Sequence, residues 1–232
     1  METDVKILTG ISDQEKGAYL SAIASIAIAD AVASQQEVDY LMHLCDAADL
    51  SDEQRQVVIN AAKDATGESL TGSLDLLKNS DLKFSLLTDL SAFAKSDGNY
   101  NEAEQKSVQK IATYLGVNET QLGLLGQLAE KANAGGTAPG NVTDPAFLSS
   151  LGDKLQSHGI NAGGLLKGLV SIAAPLILSK MMSKNSPANT TSAGGGLGGG
   201  LLSGGGLGSL FNMLNGGRGM SSIGGLVGKL LG

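Results

Sequence analysis

Oxygen-bearing side chains are concentrated between Ala94 and Glu104, in the stretch AKSDGNYNEAE. Carboxylates at Asp97 and Glu104, with two asparagines and a further glutamate between them, offer the hard oxygen ligands that Ca²⁺ or Mg²⁺ prefers. The stretch is not an EF-hand loop, because its sixth position lacks glycine and its twelfth position is Val108. The chemistry that this turn could support is therefore cation binding through oxygen atoms.

A second acidic turn lies sixty-seven residues earlier, where the stretch from Ala27 to Glu37 reads AIADAVASQQE. Asp30 and Glu37 occupy the positions that Asp97 and Glu104 occupy in the later turn. These four carboxylates are the predicted metal ligands, for calcium or magnesium. The sequence does not show whether the two turns meet in space.

A purely structural interpretation competes with this prediction. Glu37 follows Ser34 by three residues, and Glu104 follows Asn101 by three, which is the spacing of a helix capping box. The two aspartates can be turn residues at the ends of the preceding helices. Cation binding and helix capping both remain open, and Asp97 is the more informative position to mutate because Glu104 could be needed for the fold.

Apolar stripes with helical spacing surround both turns and repeat at the same offset of sixty-seven residues. The pattern predicts an all-α fold, with duplicated three-helix units forming one helical bundle. A loosely helical connector over about Ser69–Leu77 is expected between the units. The predicted helix starts are Ser12, Ser34, Ser51, Asp81, Asn101 and Asn118.

Charge and composition divide the chain. Residues 1–134 carry ten Lys or Arg and twenty-one Asp or Glu, whereas residues 135–232 carry six and two. The front of the chain thus has a net charge of −11, which excludes nucleic acid as a partner. We predict a bundle over residues 1–134, a linker over 135–142, a short helical segment over 143–184 and a Gly/Leu-rich, disordered tail over 185–232.

The C-terminal region has an apolar stretch that is too short for a membrane span. Only twelve uncharged residues separate Lys167 from Lys180, and Pro175 interrupts them, whereas a spanning helix needs about 20. A docked or interfacial helix within residues 163–182 is expected instead. The N-terminus lacks the apolar core of a signal peptide, so a cytoplasmic protein is predicted, with membrane association left open.

Catalytic groups are scarce. His43 and His158 lie in different segments without a neighbouring nucleophile, and Cys45 falls in an apolar helical stripe, where a buried thiol is expected. A metal-dependent hydrolase would need more ligands and a general base than the acidic turns supply. The chain is therefore predicted not to be an enzyme.

The front half resembles the TerB family, a tellurite-resistance-associated helical domain that is also related to the N-terminal part of a membrane-anchored J-domain cochaperone. The resemblance rests on Asp97-Gly98-Asn99-Tyr100 through Glu104, followed by Val117-Asn118-Glu119-Thr120-Gln121, and it covers roughly residues 10–133. The first copy departs from the pattern, with Ala31 in place of glycine.

The resemblance implies a helical bundle with acidic residues suspected of binding divalent metal, and a role in stress-response or membrane-associated complexes. The expected function is thus a non-enzymatic TerB-like module that binds a divalent cation. The alternative is a structural adaptor whose acidic bundle docks a protein partner, and whose Gly/Leu-rich tail drives self-association or contact with a membrane surface.

Overall fold

The computed structural model describes residues 6–27, 35–64, 66–95, 102–134 and 152–170, and every regular element in these ranges is helical. Seven longer helices are followed by a helical stretch at residues 152–157, named α8, and by the short helix α9. The seven longer helices are α1 (Asp13–Ala27), α2 (Gln35–Ala47), α3 (Asp52–Ala61), α4 (Glu68–Leu77), α5 (Leu82–Lys95), α6 (Glu102–Tyr114) and α7 (Glu119–Ala134). Helix α9 spans Ala162–Gly168.

The predicted duplication is visible in the helix bounds. Helices α2 and α6 begin and end at residues sixty-seven apart, and α3 and α7 begin at the same offset. In each repeat the third helix packs against the first, as α3 does on α1 and α7 on α5. We call α1–α3 the first repeat and α5–α7 the second.

The turn between the second and third helices is built in the same way in both repeats. Asp49 and Gly116 adopt left-handed backbone, with φ of 55° and 72°. The next residue then closes the turn through a hydrogen bond to a carbonyl five residues back, from Leu50 N to Cys45 O at 3.1 Å in the first repeat. This is the Schellman termination of a helix.

Capping side chains start the third helices as predicted. In the second repeat the box is reciprocal: Gln121 N donates to Asn118 Oδ1 at 2.9 Å, and Asn118 N donates to Gln121 Oε1 at 3.0 Å. In the first repeat Ser51 Oγ accepts from Gln54 N at 3.3 Å, but the return bond is replaced by Asp13 on α1, which accepts from both Ser51 N and Ser51 Oγ.

The connector between the repeats is a full helix, which corrects the prediction of a loosely helical segment. Helix α4 packs along α1 and buries Leu70, Leu74 and Leu77. Asp64 anchors its start, since Asp64 Oδ2 accepts from Ser69 N at 2.8 Å. Tertiary packing, which the local sequence does not reveal, stabilises this helix.

Residues 152–170 pack against the second repeat and share its core. Gly159, with φ of 74°, and Ile160, whose N–H bonds to Leu155 O at 2.8 Å, form a third turn of the Schellman type. Asn161 then caps α9, which packs on α5. The sequence analysis predicted a docked or interfacial helix within residues 163–182, but not its contact with α5.

One apolar core runs through both repeats and residues 152–170, with Leu86, Leu87 and Leu90 of α5 among its most deeply buried side chains. Among the described residues, no helix combines the length and the apolar character that crossing a bilayer requires.

Candidate functional site

The predicted acidic turns lie mostly beyond the residues that the structure describes. Asp30 and Asp97 fall outside the described ranges. Glu37 and Glu104 are the third residues of α2 and α6, so their backbones hold equivalent positions in the two repeats. The capping partners Ser34 and Asn101, like the contacts of the two glutamate side chains, also lie outside the description.

The residues one helical turn later are described, and they are buried. Tyr40 and Leu41 follow Glu37 by three and four residues, and Ser107 and Val108 follow Glu104 in the same way; all four are at most 1% exposed. Residues three and four apart share a helix face. The described parts of α2 and α6 that directly follow positions 37 and 104 thus contribute equivalent buried residues in the two repeats.

Glu102, a further carboxylate of the later acidic turn, forms an ion pair with a lysine. Glu102 Oε1 lies 2.7 Å from Lys106 Nζ, one turn along the exposed surface of α6. The hydrogen bond with Lys106 lowers the pKa of Glu102. Glu102 is thus accounted for by a surface ion pair, which leaves Asp97 and Glu104 as the stronger candidates in this turn.

The described part of the chain has a polar centre that the sequence analysis missed. Asp89 on α5 is fully buried, and its Oδ2 accepts from Tyr19 Oη at 2.5 Å and from Val170 N at 3.0 Å. Tyr19 belongs to α1 and Val170 follows α9. One carboxylate therefore joins the first repeat, the second repeat and the C-terminal segment.

Two tyrosines report the electrostatics of this centre. Burial, and then the charge of Asp89, raise the pKa of Tyr19 well above its ordinary value. The same two causes raise the pKa of Tyr40, whose hydroxyl is buried without a hydrogen-bond partner among the described residues. Both phenols stay protonated at neutral pH, and Tyr19 serves as a donor to the carboxylate.

A sequence signal for Asp89 was present. It lies three residues after Leu86 and two after Leu87, within the apolar stripe of α5 and not on its polar face. An acidic residue in such a stripe is buried only with partners. The partners could not be named in advance, because Val170 contributes a main-chain N–H and Tyr19 lies seventy residues earlier.

The remaining candidates do not form a reactive site. His43 is exposed on α2, and Cys45 is fully buried, with burial raising the pKa of its thiol to about 12. Within the described residues, no group of three or more His, Cys, Asp or Glu side chains is placed to hold a metal ion. The prediction of a buried Cys45 is confirmed.

Comparison with known families decides the identity of the bundle. The family model described as "Tellurite resistance protein TerB" matches residues 16–127, from the first turn of α1 into α7. Residues 16–127 form a TerB domain. No curated protein and no solved structure was found to match the chain.

The TerB match confirms the family resemblance and the helical fold. The TerB domain contains both acidic turns as well as Tyr19 and Asp89, and it ends before the segment that supplies Val170. Residues 16–127 are thus a TerB-type helical module, and residues 152–170 pack on its helix α5.

Proposed function

We propose that this TerB module is a non-enzymatic, cytoplasmic binding protein that holds a divalent cation at its two acidic turns, within a stress-response or membrane-associated complex. The observation that carries this proposal is the exact structural repetition of the helices that follow the turns. Helices α2 and α6 begin at Gln35 and Glu102, which are equivalent residues of the two repeats.

The burial pattern supports a shared site. Tyr40 and Leu41 of α2, and Ser107 and Val108 of α6, are buried three and four residues after positions 37 and 104. Burial, and then the charge of Asp89 on α5, raise the pKa of Tyr40 on α2, so a charge of the second repeat acts on a residue of the first. A bundle of this kind can bring two turns to one end of the molecule.

The chemistry favours a hard cation. Asp97, Glu104, Asp30 and Glu37 would supply up to four carboxylates, and carboxylates without thiolate or imidazole ligands suit Ca²⁺ or Mg²⁺ more than Zn²⁺. Among these four, Asp97 and Glu104 carry the proposal first, because the later turn contains additional oxygen donors and the glycine of the family pattern.

Calorimetric titration with Ca²⁺, Mg²⁺ and Zn²⁺ tests the site in the full chain. The double variant Asp97→Asn with Glu104→Gln should weaken binding of the preferred cation more than about tenfold, because affinity depends on ligand charge. Circular dichroism of the same variant establishes that the bundle still folds, which matters if Glu104 is also a capping residue.

A matched control comes from the duplication itself. Asp52→Asn with Glu119→Gln removes the same charge from equivalent positions, the first residues of α3 and α7. This control should bind the cation as the wild type does. Absence of heat with all three cations, or equal weakening by both double variants, would refute the proposed site.

The adaptor function is a second candidate, favoured by the charge division and by the packing of residues 152–170 on the acidic bundle. In that function the acidic face docks a basic protein and the Gly/Leu-rich tail self-associates or meets a membrane surface. Light scattering of the full chain, together with flotation on neutral and anionic vesicles, tests this candidate. A monomer that stays with neither type of vesicle argues against it.

A further inference from the structure

The C-terminal segment covers one side of α5, which would be a groove without it. Leu82, Ser85 and Asp89 lie three to four residues apart on α5, and we call the surface that they form the α5 groove. Ser85 Oγ donates to Leu165 O at 2.8 Å, and Asp89 Oδ2 accepts from Val170 N at 3.0 Å. Both bonds go to main-chain atoms, which any sequence can provide.

The α5 groove selects its occupant by shape. A Cβ added at Gly168 would lie 2.7 Å from Leu82 Cδ2 and from Ser85 Cβ, so only glycine fits at this position. Within residues 163–170, the buried positions are Leu165, Gly168, Leu169 and Val170, whereas Lys167 is exposed. The groove therefore requires the pattern Leu-x-x-Gly followed by two aliphatic residues.

The same pattern recurs in the Gly/Leu-rich tail. Residues 163–170 read GGLLKGLV, and residues 195–202 read GGLGGGLL. All four buried positions are matched, by Leu197, Gly200, Leu201 and Leu202. The differences at the two central positions fall on Leu166, which is half-buried, and on exposed Lys167.

We infer that residues 195–202 are a second ligand for the α5 groove of their own chain, in competition with residues 163–170. The intervening residues 171–194 can span up to about 80 Å when extended, so the tail can reach the groove. A tether of this length also gives an effective concentration far above that of a second molecule.

In the unmodified chain, residues 163–170 occupy the α5 groove in preference to residues 195–202. They follow α8 and the cap at Asn161, and they contain Leu166 and Lys167 where the tail has two further glycines, which cost more conformational entropy in a helix. The tail is thus a replacement cover. When the apolar segment beginning at Gly163 leaves to bind elsewhere, residues 195–202 keep the core around Asp89 covered.

Glycine substitutions in the full chain test this competition by thermal denaturation. Gly168→Ala should lower the Tm, Gly200→Ala alone should leave it unchanged, and the double variant should have a Tm at least about 3 °C below that of Gly168→Ala. Gly206→Ala is the matched control, because it lies in the same Gly/Leu-rich run but outside the pattern. A double variant as stable as Gly168→Ala would overturn the inference.

Disulfide trapping gives an independent test that requires no loss of stability. With Gly168→Ala present, Asp81→Cys with Gly196→Cys should form an intrachain disulfide several times faster than Asp81→Cys with Gly206→Cys, because Gly196 is the equivalent of Gly164, where an added Cβ would lie 3.4 Å from Asp81 Oδ2. Native Cys45 does not interfere because it is buried. Equal rates, or a product that is mainly a disulfide-linked dimer, would overturn the assignment to the same chain. Neither test involves cations, so this inference and the proposed cation site can fail separately.

Discussion

The two repeats share their turns and differ in what they place at their common interface. Asp49 and Gly116 end the second helices in the same left-handed conformation, and Ser51 and Asn118 cap the third helices. At the interface, however, Asp89 of the second repeat corresponds to Ala22 of the first. Local backbone geometry was kept through the duplication, while the polar content of the interface became asymmetric.

This difference has a simple physical basis. A turn or a cap is satisfied by residues within five positions of one another, so each copy can retain it independently. A buried carboxylate needs donors from other elements, and Asp89 receives them from α1 and from the segment after α9. Ala22, at the equivalent position of the first repeat, is buried and carries no polar side chain.

The largest expected effect comes from removing the buried carboxylate of Asp89, so that the two equivalent positions, 22 and 89, are both apolar. Asp89→Leu leaves Tyr19 Oη and Val170 N buried without their acceptor, so the free energy of unfolding should fall by about 2–4 kcal/mol. Urea denaturation measures this change. Adding Tyr19→Phe to Asp89→Leu should recover part of the loss, because one unpaired donor is then removed. A single variant as stable as the wild type would show that this carboxylate does not hold the repeats together.

Substitutions at the two Schellman turns should change the free energy of unfolding by smaller amounts and with opposite signs. Gly116→Ala forces a Cβ into left-handed backbone and should cost about 1 kcal/mol. Asp49→Gly relieves the same conformation and should gain about 0.5 kcal/mol, with part of the gain lost to the greater freedom of glycine in the unfolded chain. Thermal denaturation of both variants checks the signs. Destabilisation by both changes would mean that the two turns are not equivalent.

Features that depend on local contacts could be predicted from the sequence, whereas features that depend on contacts between distant elements could not. Capping and apolar periodicity located α1, α2, α3, α5, α6 and α7, because these signals are local. Helix α4 was expected only as a loose connector, since its stability comes from packing on α1. The docking of Leu165 and Val170 on α5 depends on main-chain atoms and on the absence of a side chain at Gly168, and the sequence alone does not identify α5 as the partner of this glycine. For the acidic turns, the sequence shows that Asp30 and Glu37 recur as Asp97 and Glu104. The structure adds where the following helices, α2 and α6, begin.

The last expected effect depends on pH and distinguishes α4 from α9, the helices that pack on the first helix of each repeat. Asp64 anchors the start of α4 with a titratable carboxylate, whereas Asn161 caps α9 with a carboxamide. The hydrogen bond from Thr66, followed by bonds from Ser69, lowers the pKa of Asp64 below its ordinary value despite partial burial.

The sign of the pH effect follows from that shift. The pKa of Asp64 is lower in the folded state than in the unfolded chain, where it is about 4. The ionised carboxylate therefore contributes its full stabilisation of the fold above pH of about 4, and this contribution decreases as the pH falls toward the folded-state pKa. Asp64→Asn should therefore cost about 0.5–1 kcal/mol at pH 7 and less at pH 3. Urea denaturation at both pH values measures the difference, and Asn161→Asp is the matched exchange that should add acid sensitivity to α9. An equal cost of Asp64→Asn at both pH values would contradict this role of the carboxylate.

The bond between Tyr19 and Asp89 also makes the molecule its own optical probe. The chain has no tryptophan and only four tyrosines, so its near-ultraviolet absorption and intrinsic fluorescence come mainly from phenol rings. Tyr19 and Tyr40 are buried and their pKa values are raised well above the ordinary value, so alkaline titration should convert them to the more strongly absorbing tyrosinate only when the repeats separate. Separation of the two halves can thus be followed by absorbance alone, without any attached dye.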